Sequence, residues 1–158
     1  MAIRHIVVAV VLAGGGVVSV DAGVSAAPTK VGTETFSLTS DINVEGGPVT
    51  ASGVIDDVGT DIVISDTEDR FDFGANGQIT VFHSPMRSRE HFNEKKCTFS
   101  FTEKGTYVFG NGTGEWANYN GSGHYTVKVH AVNACNGTPV GTLTIHAKGP
   151  INNAADDS

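Results

Sequence analysis

Histidine and aromatic side chains are the groups in this sequence best suited to chemistry in a binding site. His83 ends the run Q-I-T-V-F-H just before an irregular segment, and an imidazole at the rim of a strand can exchange a proton or face a ligand near neutral pH. Aromatic rings can contact an apolar molecule while a polar atom orients it. The candidates for a ligand-binding site are His83, Tyr107, Trp116 and Tyr125. The alternative is that the aromatic side chains only fill the core.

The remaining histidines and the acidic residues are better interpreted as solvated side chains than as metal ligands. His130 falls on the same side of its strand as His124 and Lys128, which indicates a polar outer face. Acidic residues are frequent between Asp56 and Asp72, but the spacing of calcium-binding loops is absent. No metal and no cofactor are therefore expected. Paired carboxylates for glycoside hydrolysis stay open, because that chemistry depends on their separation in space.

Motifs of the common catalytic classes are absent from the sequence. There is no G-x-S-x-G nucleophile elbow, and the segment G-N-G-T-G at 110–114 lacks the strand-to-helix context of a phosphate-binding loop. Whether the protein is an enzyme is left open by its sequence.

Short strands must position the candidate side chains. From Lys104 to Val129, aromatic and β-branched runs are interrupted at near-regular intervals by Gly, Asn and Thr. Alternation places Tyr107 and Phe109 on one face, opposite polar neighbours, so each strand has one apolar and one polar side. Because closure removes exposed edges, the pattern predicts an all-β fold with a single antiparallel up-and-down β-barrel of about eight strands.

Two segments depart from this rhythm. Residues Ser84 to Lys96 show no alternation and carry a local surplus of positive charge, so the sequence predicts a short helix or a mobile loop over one mouth of the barrel. The tail after Pro150 has nothing to bury and is predicted to be disordered over 151–158.

The first residues have the pattern of a secretory signal peptide. Arg4 and His5 precede an apolar run from Ile6 to Val18, and small residues follow up to Ala27. We predict a signal peptide over 1–26, a linker over 27–32 and a β-barrel domain over 33–150. The mature protein is expected to be secreted, with no integral membrane segment left after cleavage.

Charge and cysteine content narrow the classes of partner. The formal net charge of −7 makes binding of nucleic acid through bulk electrostatics unfavourable. Cys97 and Cys135 are the only cysteines, and in an oxidising compartment a disulfide is their expected state. Two free thiols, or half of a metal site, are the alternatives.

The segment G-T-Y-V-F-G-N-G-T-G-E-W-A-N-Y-N-G-S-G-H-Y-T-V resembles the β-barrel families of plant dirigent proteins and allene oxide cyclases. Upstream, G-V-I-D-D-V-G-T-D-I-V-I-S-D-T-E-D-R-F-D-F is similar to small secreted actinobacterial proteins that share the barrel. The resemblance rests on turn glycines and barrel aromatics, and no catalytic position carries over. It also allows a homo-oligomer, since dirigent-like barrels can associate through exposed strand faces.

The sequence therefore predicts a secreted barrel of unassigned activity that binds a small apolar or aromatic ligand in its interior. One alternative is a cofactor-free isomerase or cyclase of the allene oxide cyclase kind, for which a buried polar group beside an open cavity would be the sign. Another is an extracellular structural or partner-binding module, for which an exposed apolar patch outside the barrel would be the sign.

Overall fold

The computed structural model of the chain describes residues 31–135 and 137–153. The predicted signal peptide, most of the predicted linker and residues 154–158 of the predicted tail lie outside the described residues.

Eight antiparallel strands form one closed barrel in which each strand pairs with its neighbours in sequence and β8 pairs with β1. This confirms the predicted up-and-down barrel. Two short 3-10 helices, Gly74–Asn76 and Gly114–Trp116, lie in the connections after β4 and β6. The strands are β1 Gly32–Asp41, β2 Gly47–Ser52, β3 Asp57–Ser65, β4 Glu68–Asp72, β5 Gln78–Asn93, β6 Thr98–Gly110, β7 Tyr119–Val132 and β8 Val140–Asn153.

The barrel is taller on one side than on the other. Strands β5 to β8 have 13 to 16 residues each, whereas β2, β3 and β4 have 6, 9 and 5. We call β5 to β8 the tall wall. Its upper part extends past the short strands, so both of its faces reach solvent there.

The prediction of a helix or mobile loop over Ser84 to Lys96 is wrong. Most of this segment is the second half of β5, which pairs with β6 as far as Asn93. A bulge between Pro85 and Arg87 shifts the inward and outward positions by one residue, and the strand beyond it is exposed on both faces. Both effects remove the apolar alternation by which a strand is recognised.

The chain termini of the barrel also differ from the predicted boundaries. β8 continues to Asn153, and Ile151 is fully buried against the core, so residues 151–153 belong to the barrel. Glu103 and Lys104 do not interrupt the chain either, because β6 runs through them as one strand.

Aromatic residues pack the lower end of the barrel. The Phe36 ring lies edge-on to Phe109, with centroids 5.7 Å apart. Trp116 lies edge-on to both Phe73 and Tyr119, at centroid distances of 6.2 and 5.6 Å. Burial of such large rings contributes most of the apolar free energy of a small core, and Trp116 closes this end.

A disulfide joins Cys97 and Cys135, with Cα atoms 5.1 Å apart, as the sequence predicted. It connects the β5–β6 turn to the β7–β8 turn at the top of the tall wall. The short strands β2 to β4 do not extend to this height. The disulfide therefore holds the β5–β6 hairpin against the β7–β8 hairpin where those strands do not cover them.

Removal of the disulfide tests its contribution to the fold. In the chain-entropy model, closing a loop of this length, 38 residues apart in sequence, stabilises the protein by roughly 4 kcal/mol. We expect Cys97→Ser/Cys135→Ser to lose about that amount of unfolding free energy in denaturant titrations, and the reduced native protein to lose the same. A loss below about 1 kcal/mol would contradict the role assigned to the crosslink.

Two glycines of the sheet provide a matched test of interior packing. A Cβ atom on Gly121 would overlap the Phe109 ring and the Pro150 carbonyl, whereas one on Gly110 would meet nothing within 4 Å. We expect Gly121→Ala to destabilise the barrel by about 1–3 kcal/mol through overpacking, and Gly110→Ala to change stability by less than about 0.5 kcal/mol. Chemical denaturation measures both, and equal effects would refute the packing argument.

Candidate ligand-binding site

A cavity of about 70 Å³ lies inside the upper half of the barrel, above the aromatic core. Its wall is mostly apolar and includes Leu38, Val49, Val81, Val127 and Ile145. Polar side chains enter it from β3 to β7, and these are Asp61, Asp69, His83, Glu103, Tyr107 and Tyr125.

Strand pairing explains why these polar groups meet. His83 is the cross-strand partner of Tyr107, so both project to the same face of the sheet. Asp69 is paired with Val81, two residues before His83, and therefore lies diagonally next to the imidazole. Gly105 is paired with Tyr125, and the missing side chain leaves room for the phenol ring.

His83 and Asp69 form an ion pair inside the cavity. Nε2 of His83 lies 3.2 Å from Oδ2 of Asp69 and donates to it, and both side chains are largely buried. This hydrogen bond to Asp69 raises the pKa of His83 above its ordinary value, against the opposing effect of burial. The Nδ1 atom is buried and has no hydrogen-bond partner among the described residues. The dyad thus offers one free ring nitrogen.

Asp61 is a buried carboxyl beside this dyad. Only 5% of the residue is exposed, and its Oδ1 atom has no hydrogen-bond partner within the described part of the chain. Burial raises the pKa of Asp61 to about 7, and the negative charge of Asp69 adds to the effect while His83 opposes it. The group therefore exists near neutral pH as a mixture of carboxylic acid and carboxylate, and in the acid form it can donate a hydrogen bond.

The two tyrosines differ in their hydrogen bonding. The Tyr125 hydroxyl donates to Oε1 of Glu103 at 2.8 Å, and burial together with this bond raises the pKa of Tyr125. Burial, followed by the charge of Glu34, raises the pKa of Tyr107 to about 12. The Tyr107 hydroxyl is buried without a partner among residues 31–135 and 137–153. Both phenols remain neutral donors under ordinary conditions.

Another buried acid, Glu34, has a structural role at the lower end. Its carboxylate accepts hydrogen bonds from the backbone N–H of Ile55 at 2.8 Å and of Thr35 at 3.2 Å. Burial nevertheless raises its pKa, and the backbone donors partly offset that rise. Glu34 fixes the β2–β3 turn and is not part of the cavity wall.

The cavity opens upward through a wider space. This mouth has a volume of about 370 Å³ and shares Asp61, Asp69 and His83 with the cavity. Its rim is formed by the β1–β2 and β3–β4 turns, and the tall wall continues above it. A ligand that enters from the top would meet the polar cluster before the aromatic core.

The structure brings three of the four predicted ligand-binding residues together. His83, Tyr107 and Tyr125 line the cavity, whereas Trp116 lies in the second 3-10 helix at the lower end and does not. His83 is also not at the end of a strand, since β5 continues past it.

Sequence reasoning missed three carboxyl groups of the cavity. The sequence pattern indicated solvated side chains for Asp61 and Asp69 and no role for Glu103. The alternation of side chains along a strand could have identified two of them as inward-facing. Asp69 lies two residues before Phe71, and Glu103 lies four residues before Tyr107, so each shares a face with an apolar ring. Asp61 precedes the continuous apolar run Ile62, Val63 and Ile64, in which no alternation shows which face points inward.

No family model, curated protein or solved structure matches this chain. Among the described residues, no group of three or more His, Cys, Asp or Glu side chains is arranged to hold a metal ion. The helices within that part of the chain are too short to cross a membrane.

The raised pKa of Asp61 predicts a pH dependence of stability. Because the folded protein holds this proton more tightly than the unfolded chain, Asp61 favours folding at low pH, and that contribution is lost as pH rises from about 4 through about 7. Asp61→Asn removes this part of the dependence, so the variant should be more stable than the native protein at pH 8 by a few kcal/mol at most.

The measurement is urea denaturation between pH 4.5 and pH 8. Asp66→Asn, in the exposed β3–β4 turn, is the matched control and should keep the native pH profile. Native-like dependence in Asp61→Asn would show that Asp61 is not the responsible group, whereas the contribution of His83 should persist in both variants.

Proposed function

We propose that the barrel binds a small molecule that has an apolar body and at least one polar group, held in the upper cavity and the mouth above it. The observation that carries this proposal is that three polar atoms of a mostly apolar cavity have no hydrogen-bond partner in the described part of the chain: Oδ1 of Asp61, Nδ1 of His83 and the hydroxyl of Tyr107. A buried polar atom without a partner costs about 1–3 kcal/mol, and a ligand with matching groups removes that cost.

The charges in the cavity favour a ligand that donates hydrogen bonds. Three carboxyl groups, those of Asp61, Asp69 and Glu103, face one imidazole. Asp69 is paired with His83, and Glu103 accepts from Tyr125, but their fields still favour a neutral or positively charged group over an anion. Aromatic rings and aliphatic side chains around this cluster suit an apolar or aromatic body.

An extracellular location fits this function. The Cys97–Cys135 disulfide is compatible with an oxidising compartment. Secretion itself remains a prediction from the first residues of the sequence, and with it the proposal that the barrel acts outside the cell.

A cofactor-free isomerase is the second candidate. The specific observation in its favour is the His83–Asp69 dyad, whose free Nδ1 faces the same cavity as Asp61. A general base near neutral pH could take a proton from one atom of the ligand and return it to another, so no cofactor would be consumed. Buried polar groups beside an open cavity are also the feature expected of such an enzyme.

An exposed apolar patch, the feature expected of a partner-binding module, is present above the mouth. Apolar side chains on the inner side of the tall wall, among them Phe92, Phe99, Val129 and Leu143, line a groove above the mouth. Leu143 and Ile42 belong to both the groove and the mouth. Because the groove leads into the cavity, we assign it to the path of the ligand.

Native mass spectrometry tests the binding proposal directly. The non-reduced protein, purified from the medium of its own cells, should lose the mass of a bound small molecule when it is denatured. Recombinant protein should bind 4-methylphenol more tightly than toluene, because only the phenol can satisfy the unpartnered polar atoms. An unchanged mass together with equal, weak binding of both probes would overturn the proposal.

Substitution of Tyr107 separates stability from binding. Tyr107→Phe removes a buried hydroxyl that has no hydrogen-bond partner among the described residues, so the variant should be as stable as the native protein or more stable by about 1 kcal/mol. Its affinity for 4-methylphenol, measured by calorimetry, should fall roughly tenfold through loss of one hydrogen bond. Tyr119→Phe, at the lower end beside Trp116, is the control and should leave the affinity unchanged.

A further inference from the structure

The outer surface of the tall wall is a second candidate site, independent of the cavity. Along β6, Glu103 points into the barrel and Lys104 points to solvent. Cross-strand partners share a face, so the register also identifies the outward residues of β5, β7 and β8. The outward positions of this surface carry exposed basic side chains, which are Arg87, Arg89, Lys104, Lys128 and Lys148. We call this surface the basic face.

Charge on the molecule is therefore strongly segregated. No carboxylate occupies an outward position of β5 to β8 at the level of the basic face, and all of these positions belong to the described residues. The carboxylates lie on the short strands, at the end of β1, in the turns or inside the barrel, as with Asp61 and Glu103, except for Glu90 on the inner side of β5. A protein with a net charge of −7 thus presents a continuous positive surface, whereas the charge of the whole chain had argued against anionic partners.

The strand register places like charges against each other. Arg87 is the direct cross-strand partner of Lys104, and Lys104 lies diagonally opposite Lys128 across the β6–β7 pair. Like charges in directly opposite positions destabilise a sheet. No ion pair involving these side chains forms within the described part of the chain. The arrangement lowers stability without an internal counter-charge, so it is suited to an external anion.

Hydroxyl groups alternate with the positive charges. Thr102 lies between Arg89 and Lys128 on adjacent strands, and Thr126 lies between Lys104 and His146. Neighbouring strands are about 4.8 Å apart, so positive side chains on alternate strands are separated by roughly 10 Å with a hydroxyl between them. An extended chain of sugars with regularly spaced acidic groups matches this alternation of charge and hydroxyl.

We infer that the basic face binds a linear acidic polysaccharide, with Arg87, Arg89, Lys104 and Lys128 contacting its carboxylate or sulfate groups and the threonine hydroxyls contacting its sugar hydroxyls. The complementary charge of the face is the basis for this assignment. The site lies on the opposite side of the sheet from the cavity, so the two can be occupied independently.

Two other classes of polyanion fit the face less well. Between the basic residues its outward positions carry no Phe, Tyr or Trp on which nucleic acid bases could stack, a contact that supplies much of the affinity for single strands, and Phe82 lies below them beside Val108. Met86, at the bulge beside Arg87, is the exposed apolar side chain nearest these cations, and it does not amount to the apolar face that interfacial binding of proteins to membranes requires. Both classes are tested below as alternatives.

The experiment compares two double variants with the same change in net charge. Arg87→Gln/Lys104→Gln removes two cations from the basic face, and Lys95→Gln/Lys96→Gln removes two exposed cations from the β5–β6 turn. The probe is a fluorescently labelled heparin dodecasaccharide, with a neutral dextran of similar length as the negative control. Binding is measured by fluorescence anisotropy between 25 and 200 mM salt, and thermal unfolding checks that each variant is folded.

Native protein should bind the heparin probe and not dextran. The face variant should bind roughly tenfold more weakly, and its slope of log affinity against log salt should be smaller by about 1.5, because each lost ionic contact removes roughly 0.7–0.9. Its melting temperature should be equal to or above that of the native protein, since a repulsive pair is removed. The turn variant should keep native affinity within twofold.

Several outcomes would overturn the inference. Equal weakening in both double variants would show that only the net charge matters. Tighter binding of single-stranded DNA, or of vesicles that contain phosphatidylglycerol, would assign the face to a different partner. Self-association at low salt that is abolished by the face variant would show that the basic face pairs with the acidic strands of a second copy.

Discussion

Closure of the sheet is the constraint on which the rest of this structure depends. Once β8 pairs with β1, every strand has two partners and every side chain must point either into the barrel or out to solvent. A shift of one residue in any strand would exchange the two sets of side chains. Register therefore decides which residues line the cavity and which form the basic face. Two consecutive residues of β6 illustrate this, because Glu103 points into the cavity and Lys104 lies on the basic face.

Inward polar groups are costly in such a closed barrel, and the protein handles them in two ways. Glu34 is held by backbone N–H groups at the lower end, where it stabilises a turn. In the upper half, Asp69 and Glu103 are paired with His83 and Tyr125, but one atom each of Asp61, His83 and Tyr107 has no partner in the described residues. The contrast between the two ends separates groups that maintain the fold from groups that are available to a ligand.

The unequal heights of the strands link the two candidate sites. β2, β3 and β4 end early, which leaves the cavity open at the top and exposes both faces of the tall wall. The bulge at Pro85 and Arg87 then turns Arg87 and Arg89 outward beside Lys104. The disulfide between Cys97 and Cys135 holds the upper ends of the two hairpins together where no other strand covers them.

Much of the fold was determined by the sequence itself, because alternation and turn residues are local properties. Phe99, Phe101, Tyr107 and Phe109 mark the inner face of β6 without any knowledge of its neighbours, and the two cysteines suffice to suggest the crosslink. Tyr107 and Tyr125 follow from the same alternation, whereas His83 was predicted from its place at the end of an apolar run. Only the tertiary structure decided that Trp116 closes the lower end, that Asp61 faces inward and that the segment after Ser84 is a strand. Those outcomes depend on closure, on the bulge and on which strands are long, and these are set by contacts between residues far apart in the chain. The basic face has the same origin, since the positive charges it gathers come from four separate strands.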